Sequence, residues 1–238
     1  MKLKISRGRI IGIEDPSLKP ILPNSDLSFV EDKDLYKEIR NYLKSEHRNL
    51  KNELIFQDEV MKGSSTYLAV AVDMFLKKYH PGFRIARHTD LETNLSMFKG
   101  FYIDSGLALR NLKGANKEQG IYLFNQLKQR GIKEKNFPIW LDLRGLLLDQ
   151  NLNFNLTDES RYKTEECLSW ECGIGYSKID DFGLPQQKDK NSGRQIWTSD
   201  YSLSRCYLVR ISYLYSSDSV FSYSNDIGRV VLAKARSA

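Results

Sequence analysis

Residues 204–231, "SRCYLVRISYLYSSDSVFSYSNDIGRVV", decide how this chain is read. They spell strand, turn, strand, yet they are chemically foreign to their surroundings. The chain carries 36 Lys and Arg and 30 Asp and Glu, but from Thr198 to Ala233 it contains no Lys, Glu, Gln, Met or Trp. A buried β segment would explain the missing Lys and Glu. It would not favour so many Ser, Asp and Asn, which cost free energy to bury without partners. Tyr and Ser together suit a recognition surface: Tyr supplies large amphipathic contact area for two lost torsions, and Ser supplies adaptable hydrogen bonding. Period-2 alternation places Tyr207, Val209, Ile211, Tyr213 and Tyr215 on one face and Cys206, Leu208, Arg210, Ser212 and Leu214 on the other. With Leu208 and Leu214 in the core, a tyrosine-rich row faces water, which marks an interaction site rather than packing.

On these residues the segment resembles the C-terminal variable segment of proteins diversified by diversity-generating retroelements, particularly the archaeal and viral ones. In that family a reverse transcriptase mutates template adenines, chiefly in Asn codons ending in a pyrimidine. The codons so reached cannot encode Lys, Glu, Gln, Met or Trp, the set missing here. The resemblance implies a C-type-lectin-like domain that displays varied side chains on a fixed backbone. Ser204-Arg205, Leu208, Leu214 and Gly228-Arg229-Val230-Val231 match the family's fixed framework. The varied, ligand-binding positions implied are Tyr201, Ser202, Tyr207, Val209, Ile211, Tyr213, Tyr215, Ser217, Asp218, Ser219, Tyr223, Asn225 and Ile227, in a variable segment over about residues 199–231. No Glu-Pro-Asn or Trp-Asn-Asp calcium signature is present, and there is no disulfide pattern, so calcium-dependent sugar binding is not implied.

Working outward, "DKDLYKEIRNYLKSEHRNL" places Leu35, Ile39, Leu43 and Leu50 on one helical face. Ser64-Ser65 can cap a second helix, "TYLAVAVDMFLKKY", apolar on more than one side and stopped by His80-Pro81-Gly82. A short opening strand is expected at "RIIGI", followed by a Pro-punctuated loop to about residue 30. "KGFYIDSGLALR" reads as a half-buried strand with Phe101, Ile103, Leu107 and Leu109 inward. A helix capped by Asn116 then turns Ile121, Phe124 and Leu127 inward, and "FPIWLDLRGLLL" is another strand. Residues 149–196 read as loop-rich, and three short strands close the chain. The expected fold is α+β: an N-terminal helical or α+β extension over residues 1–96, then a C-type-lectin-like domain over residues 97–238.

The remaining signals are weaker. At 238 residues the chain can bury a substantial core. No apolar run reaches the roughly 18–20 residues of a membrane helix, and no signal peptide is seen, so a cytoplasmic protein, or one assembled into a particle or surface by another route, is expected. Cys167, Cys172 and Cys206 form no metal or disulfide pattern, and buried inert thiols are the reading of "CLSWECG". No cofactor or metal is expected. The net charge of +6 is spread along the chain, as on a solvated surface, and no specific nucleic acid is expected as a partner. The partner expected is a protein or cell-surface ligand. Two other functions compete with display. One is an enzyme, similar to formylglycine-generating enzymes or a small nuclease using His88, Asp90, Glu92 and Asp104, the first three sharing a face if "RHTDLE" is a strand. The other is a single-stranded nucleic-acid binder using tyrosine stacking.

Overall fold

The computed structural model of the chain describes residues 27–209 and 212–234. The strand expected at "RIIGI", and Arg210 and Ile211, lie outside these residues.

The first element is β1 (Leu27–Phe29), and Asp32 then caps α1 (Lys33–Glu46) by accepting from the Asp34 and Leu35 N–H groups. Its buried stripe is Leu35, Ile39 and Leu43, widened by Tyr36 and Tyr42. Leu50 is buried too, but from a separate 3-10 turn. A hairpin of β2 (Ile55–Gln57) and β3 (Val60–Lys62) leads to α2 (Thr66–Tyr79), where the Leu68 N–H donates to Ser65 Oγ at 3.1 Å. This helix is buried on most sides, and Asp73 inside it accepts from the backbone N–H groups of Ile85 at 3.2 Å and Gly145 at 3.1 Å. A buried carboxylate is tolerable there because backbone donors satisfy it.

Next come β4 (Phe83–Ile85), the short helix α3 (His88–Glu92), β5 (Tyr102–Leu109) and α4 (Lys117–Gln129). The chain continues through β6 (Ile139–Asp142), β7 (Leu146–Leu148), β8 (Phe154–Leu156), β9 (Tyr162–Thr164), β10 (Ile174–Ile179) and β11 (Pro185–Lys188). It ends with β12 (Gln195–Thr198), β13 (Leu203–Val209), β14 (Tyr213–Asp218) and β15 (Val231–Lys234).

Eight strands form one curled sheet in the order β11-β10-β12-β14-β13-β5-β6-β9, antiparallel at every step except the parallel pair β12–β14. A separate sheet runs β1-β15-β4. The architecture is mixed α and β, with four α-helices among the described residues. Packing continues across the boundary expected at residue 96. Leu43, Leu68 and Val72 share one apolar cluster with Leu107, Leu123 and Leu203, and β15 is paired on both sides by strands from before residue 96.

Two expectations about elements are corrected and a third is extended. First, β5 is buried along its whole length, not half-buried. The β13 register shifts so that Cys206 opposes Gly106 while Tyr207 opposes Asp104, a bulge at Ser105 in β5. The bulge reverses the alternation: Ile103 enters one core cluster, and Leu107 and Leu109 the other. Second, Ile121 is 40% exposed, and Leu123 takes the inward place beside Phe124 and Leu127. Asn116 makes no capping bond either. Its Nδ2 donates to the carbonyls of Leu203 at 3.0 Å and Ser219 at 2.8 Å, tying α4 to the C-terminal segment. Third, residues 149–196 are loop-rich as expected, yet they also hold β8 through β11 and the start of β12. These strands are short, and the outer one is polar and exposed, so they carry no hydrophobic period.

Candidate functional site

The centre of the large sheet carries the segment that opened the reading. Leu208 and Leu214 are directly paired, 4% and 0% exposed, and packed with Ile103, Ile196 and Cys206. Tyr207, Val209, Tyr213 and Tyr215 are half-buried on the opposite face. Register assembles the rings. Tyr215 lies between Tyr207 on the antiparallel side and Trp197 on the parallel side. The Tyr207 and Tyr215 rings stack at 5.4 Å and 9°, and Tyr215 and Trp197 at 5.8 Å and 15°. Tyr213 closes edge-on against Trp197 and Tyr215, and Tyr102 edge-on against Tyr207. Such pairs are worth about 0.5–1.5 kcal/mol each beyond area burial. Sequence reasoning missed Trp197 because it precedes the compositionally unusual stretch; only its alternation with buried Ile196 hinted at its side.

Beneath this row lies an ion pair. Arg205 is fully buried and grips Asp104 with a two-pronged contact, Nε to Oδ1 at 2.8 Å and Nη2 to Oδ2 at 2.6 Å. Asp104 also accepts from Ser64 Oγ at 2.8 Å and Thr66 Oγ1 at 3.1 Å. The guanidinium carbon sits 4.7 Å from the Tyr207 ring centroid and 5.9 Å from that of Tyr223. Burial works against the charge on Arg205, but Asp104 outweighs it and holds the pKa above the ordinary value. Burial likewise pushes the Tyr207 hydroxyl up to about 12, with Arg205 pulling the other way, so it stays a donor at neutral pH.

A second guanidinium secures the buried side. Arg110 donates to Leu168 O at 2.8 Å, to Ser204 Oγ at 2.6 Å, to Ser216 O at 2.7 Å and to Ser216 Oγ. Burial lowers its pKa. Ser204 and Ser216 are fully buried, so part of the serine richness is internal wiring. The framework residues expected at the end of the segment are also inside: Gly228, Arg229 and Val230 are buried. A Cβ on Gly228 would lie 2.5 Å from the Ser64 nitrogen and 2.8 Å from the Tyr102 ring, so only glycine fits. Arg229 donates to Asp226 O at 2.7 Å and Gly228 O at 2.6 Å.

Of the positions expected to contact ligand, Tyr201, Tyr223 and Ile227 are exposed, and Ser217, Asp218, Ser219 and Asn225 are half-buried. Ser202 is a correction. It is fully buried, donates to Asn111 O at 2.6 Å and abuts Gly120 of α4, so it belongs to the framework. Val220, 51% exposed, was missed. Ser224 looks like a contact residue, yet it accepts from the Ser64 N–H and donates to Glu53 O, both at 3.0 Å, anchoring the last loop.

The nuclease-like set does not assemble. His88, Asp90 and Glu92 lie in α3 rather than a strand, so Asp90 no longer shares their face, while His88 and Glu92, four residues apart, still meet with Nε2 3.7 Å from Oε1. Asp90 binds Arg84 at 2.5 Å, while Glu92 is buried against Arg194 and Tyr176. The buried His88 ring lies 4.7 Å from that of Trp140, and burial together with the Arg194 charge pushes its pKa down to about 3. Asp104 is held by Arg205. No group of three His, Cys, Asp or Glu able to hold a metal occurs among the described residues. Cys167 and Cys206 are buried, with thiols pushed up by burial, Cys206 to about 12; Cys172 is exposed, against expectation.

No protein family, curated protein or solved structure matches the chain.

The chemical capacity of the face follows from its geometry. Tyr215 is stacked on both flat sides, by Tyr207 and by Trp197, so its edge and hydroxyl are what it offers a partner. The buried indole Nε1 of Trp197 has no hydrogen-bond partner in the structure. Among the described residues no helix is long and apolar enough to cross a membrane.

Proposed function

We propose that this protein displays a diversified contact surface, built on β12, β13, β14 and the loop that follows, for binding a protein or cell-surface ligand without chemistry. The observation that carries the reading is the division of one strand pair. Leu208 and Leu214 lie in the core while Tyr207, Val209, Tyr213 and Tyr215 form a ring-lined row on the other face. The Arg205–Asp104 pair supports rigidity, since it clamps β13 to β5 directly under the row. A preorganised backbone lowers the ordering cost of binding and lets side chains change without refolding the frame. The missing Lys, Glu, Gln, Met and Trp support a retroelement origin for that variation, and a C-type-lectin-like scaffold is part of the same proposal.

The test is a displayed library randomised at Tyr207, Val209, Tyr213, Tyr215, Ser217, Asp218, Tyr223 and Asn225 and selected against a panel of folded proteins. The expected result is clones with different specificities whose melting temperatures stay within a few degrees of the parent. A library dominated by unfolded members, or one yielding no binder to any target, defeats the reading. Leu208→Ala and Leu214→Ala provide the contrast, costing about 2–5 kcal/mol each as buried truncations.

A further inference from the structure

The stacked rings of the display face form a column across the sheet, and its two ends differ. Tyr207 on β13, Tyr215 on β14 and Trp197 on β12 are register neighbours, with successive centroids 5.4 and 5.8 Å apart. At the β13 end the column is closed. The Arg205 guanidinium carbon lies 4.7 Å from the Tyr207 centroid, and the Tyr102 ring meets Tyr207 edge-on at 5.9 Å. Beyond Trp197 the next strand is β10, where Ile174 pairs with Ile196 and Gly175 with Gln195. Continued by one step, that register sets Gly173 opposite Trp197, and the Gly173 N–H donates to Ile196 O at 2.9 Å. The fourth place in the column therefore carries no side chain.

Backbone geometry keeps it empty. Gly173 has a φ of +81°, a left-handed conformation that other residues rarely adopt. A Cβ built there meets one atom within 4 Å, Trp197 Cζ2 at 4.0 Å, so open space lies beside the indole. Two residues on, the space is shut: a Cβ on Gly175 would lie 2.2 Å from Asp189 O. Among the described residues Trp197 meets two rings, Tyr215 stacked and Tyr213 edge-on, and no third ring covers its outer side. The exposed charges nearby oppose one another. Glu171 lies two residues before Gly173, and Lys188 Nζ lies 5.3 Å from the Trp170 ring, whose residue accepts from Thr198 Oγ1 through its carbonyl. The slot thus calls for no ion, and a neutral ring continues an offset stack at a gain beyond its buried area.

We propose that the outer face of Trp197, over Gly173, is a fixed subsite of the contact surface that takes one neutral aromatic side chain of a protein partner as the fourth ring of the column. The inference rests on the display reading for its protein partner and adds a constant anchor to it, since Trp197 precedes the segment over 199–231. Aromatic anchors seated in a pocket are what commonly dominate such interfaces.

The experiment titrates para-cresol, the tyrosine side-chain analogue, into the isotope-labelled full chain at neutral pH and follows the indole N–H signals by NMR, that of Trp197 being assigned with Trp197→Phe. A saturable shift of the Trp197 signal is expected, half complete at about 1–10 mM, with buried Trp140 unmoved. Gly173→Asn puts into the slot the side chain that best tolerates a left-handed backbone, and should weaken binding about tenfold. Lys99→Gln, at an exposed position elsewhere, should leave it unchanged. The saturated analogue para-methylcyclohexanol, similar in size but not flat, should bind several-fold more weakly. The proposal is overturned by absence of a saturable shift, by an equal shift of Trp140, by a folded Gly173→Asn that binds as the parent does, by equal binding of the saturated analogue, or by tighter binding of N-acetylargininamide. If Gly173→Asn does not fold, nuclear Overhauser contacts between the cresol ring and the Trp197 indole decide: their presence supports the subsite and their absence overturns it. No randomised library enters this titration, so a failed subsite leaves the display reading standing, and a library without binders leaves the cresol result as measured.

Discussion

Arg205 shows how one residue can serve a surface it never reaches. Its side chain is buried, yet it contacts Asp104, the Tyr223 carbonyl and three tyrosine rings, so it braces the row at its Tyr207 end. Removing it would strand Asp104 as an uncompensated buried charge. Arg205→Ala is expected to cost about 3–5 kcal/mol in urea unfolding. Arg205→Lys should recover only part of this, since an ammonium cannot reproduce the two-pronged grip. A loss below about 1 kcal/mol for the alanine variant would mean the pair is not what holds the face rigid. From the sequence Arg205 was legible as framework, but its partner was not, because Asp104 lies 101 residues away. Ser202 illustrates the opposite error: by composition it belongs with the contact residues, and only the approach of α4 buries it.

At the level of elements, legibility followed local signals. The helix α2 could be read because a capping serine precedes a long apolar run, and both features act within a few residues. Ser65 does double duty there, accepting from Leu68 N–H and donating to the Glu53 carboxylate. Ser65→Ala is therefore expected to lower stability by about 1 kcal/mol for the lost cap, with a further loss for the stranded carboxylate, read as a drop in the urea midpoint. The strands β8 through β11 could not be read, since their hydrogen-bond partners supply the order that their side chains do not advertise. The phase of β5 failed for another local reason invisible in one dimension: a single extra residue at the bulge exchanges its two faces.

For the whole molecule, buried titratable groups set opposing limits in pH. Burial raises Glu53 from an ordinary 4.5 to about 7, with the Ser65 hydrogen bond pulling the other way. Its favourable contribution is fully present below 4.5, where folded and unfolded chains are both protonated there, and is lost as pH rises through about 7. His88 has the reverse sign. It is neutral in the fold down to about 3, so stability is present above 6.5 and lost as pH falls towards 3. Glu53→Gln removes the first effect alone. The variant should lose less melting temperature than the parent between pH 5 and pH 8, and an identical slope would show that Glu53 is not the group responsible. Because Glu53 O also anchors Ser224, this titration lies next to the last loop of the display segment.

The sequence alone determined the unusual composition of Thr198 to Ala233, the two long N-terminal helices, and the placement of Leu208 and Leu214 opposite a tyrosine row. Those features depend on periodicity and capping, which act over a few residues. Only the tertiary structure decided that Trp197 extends the row through a parallel neighbour, that Ser204 and Ser216 are wired to Arg110, and that Arg205 finds Asp104. Each of these depends on strand order, register and bulges, which are settled when distant segments pair and not by any stretch read in isolation.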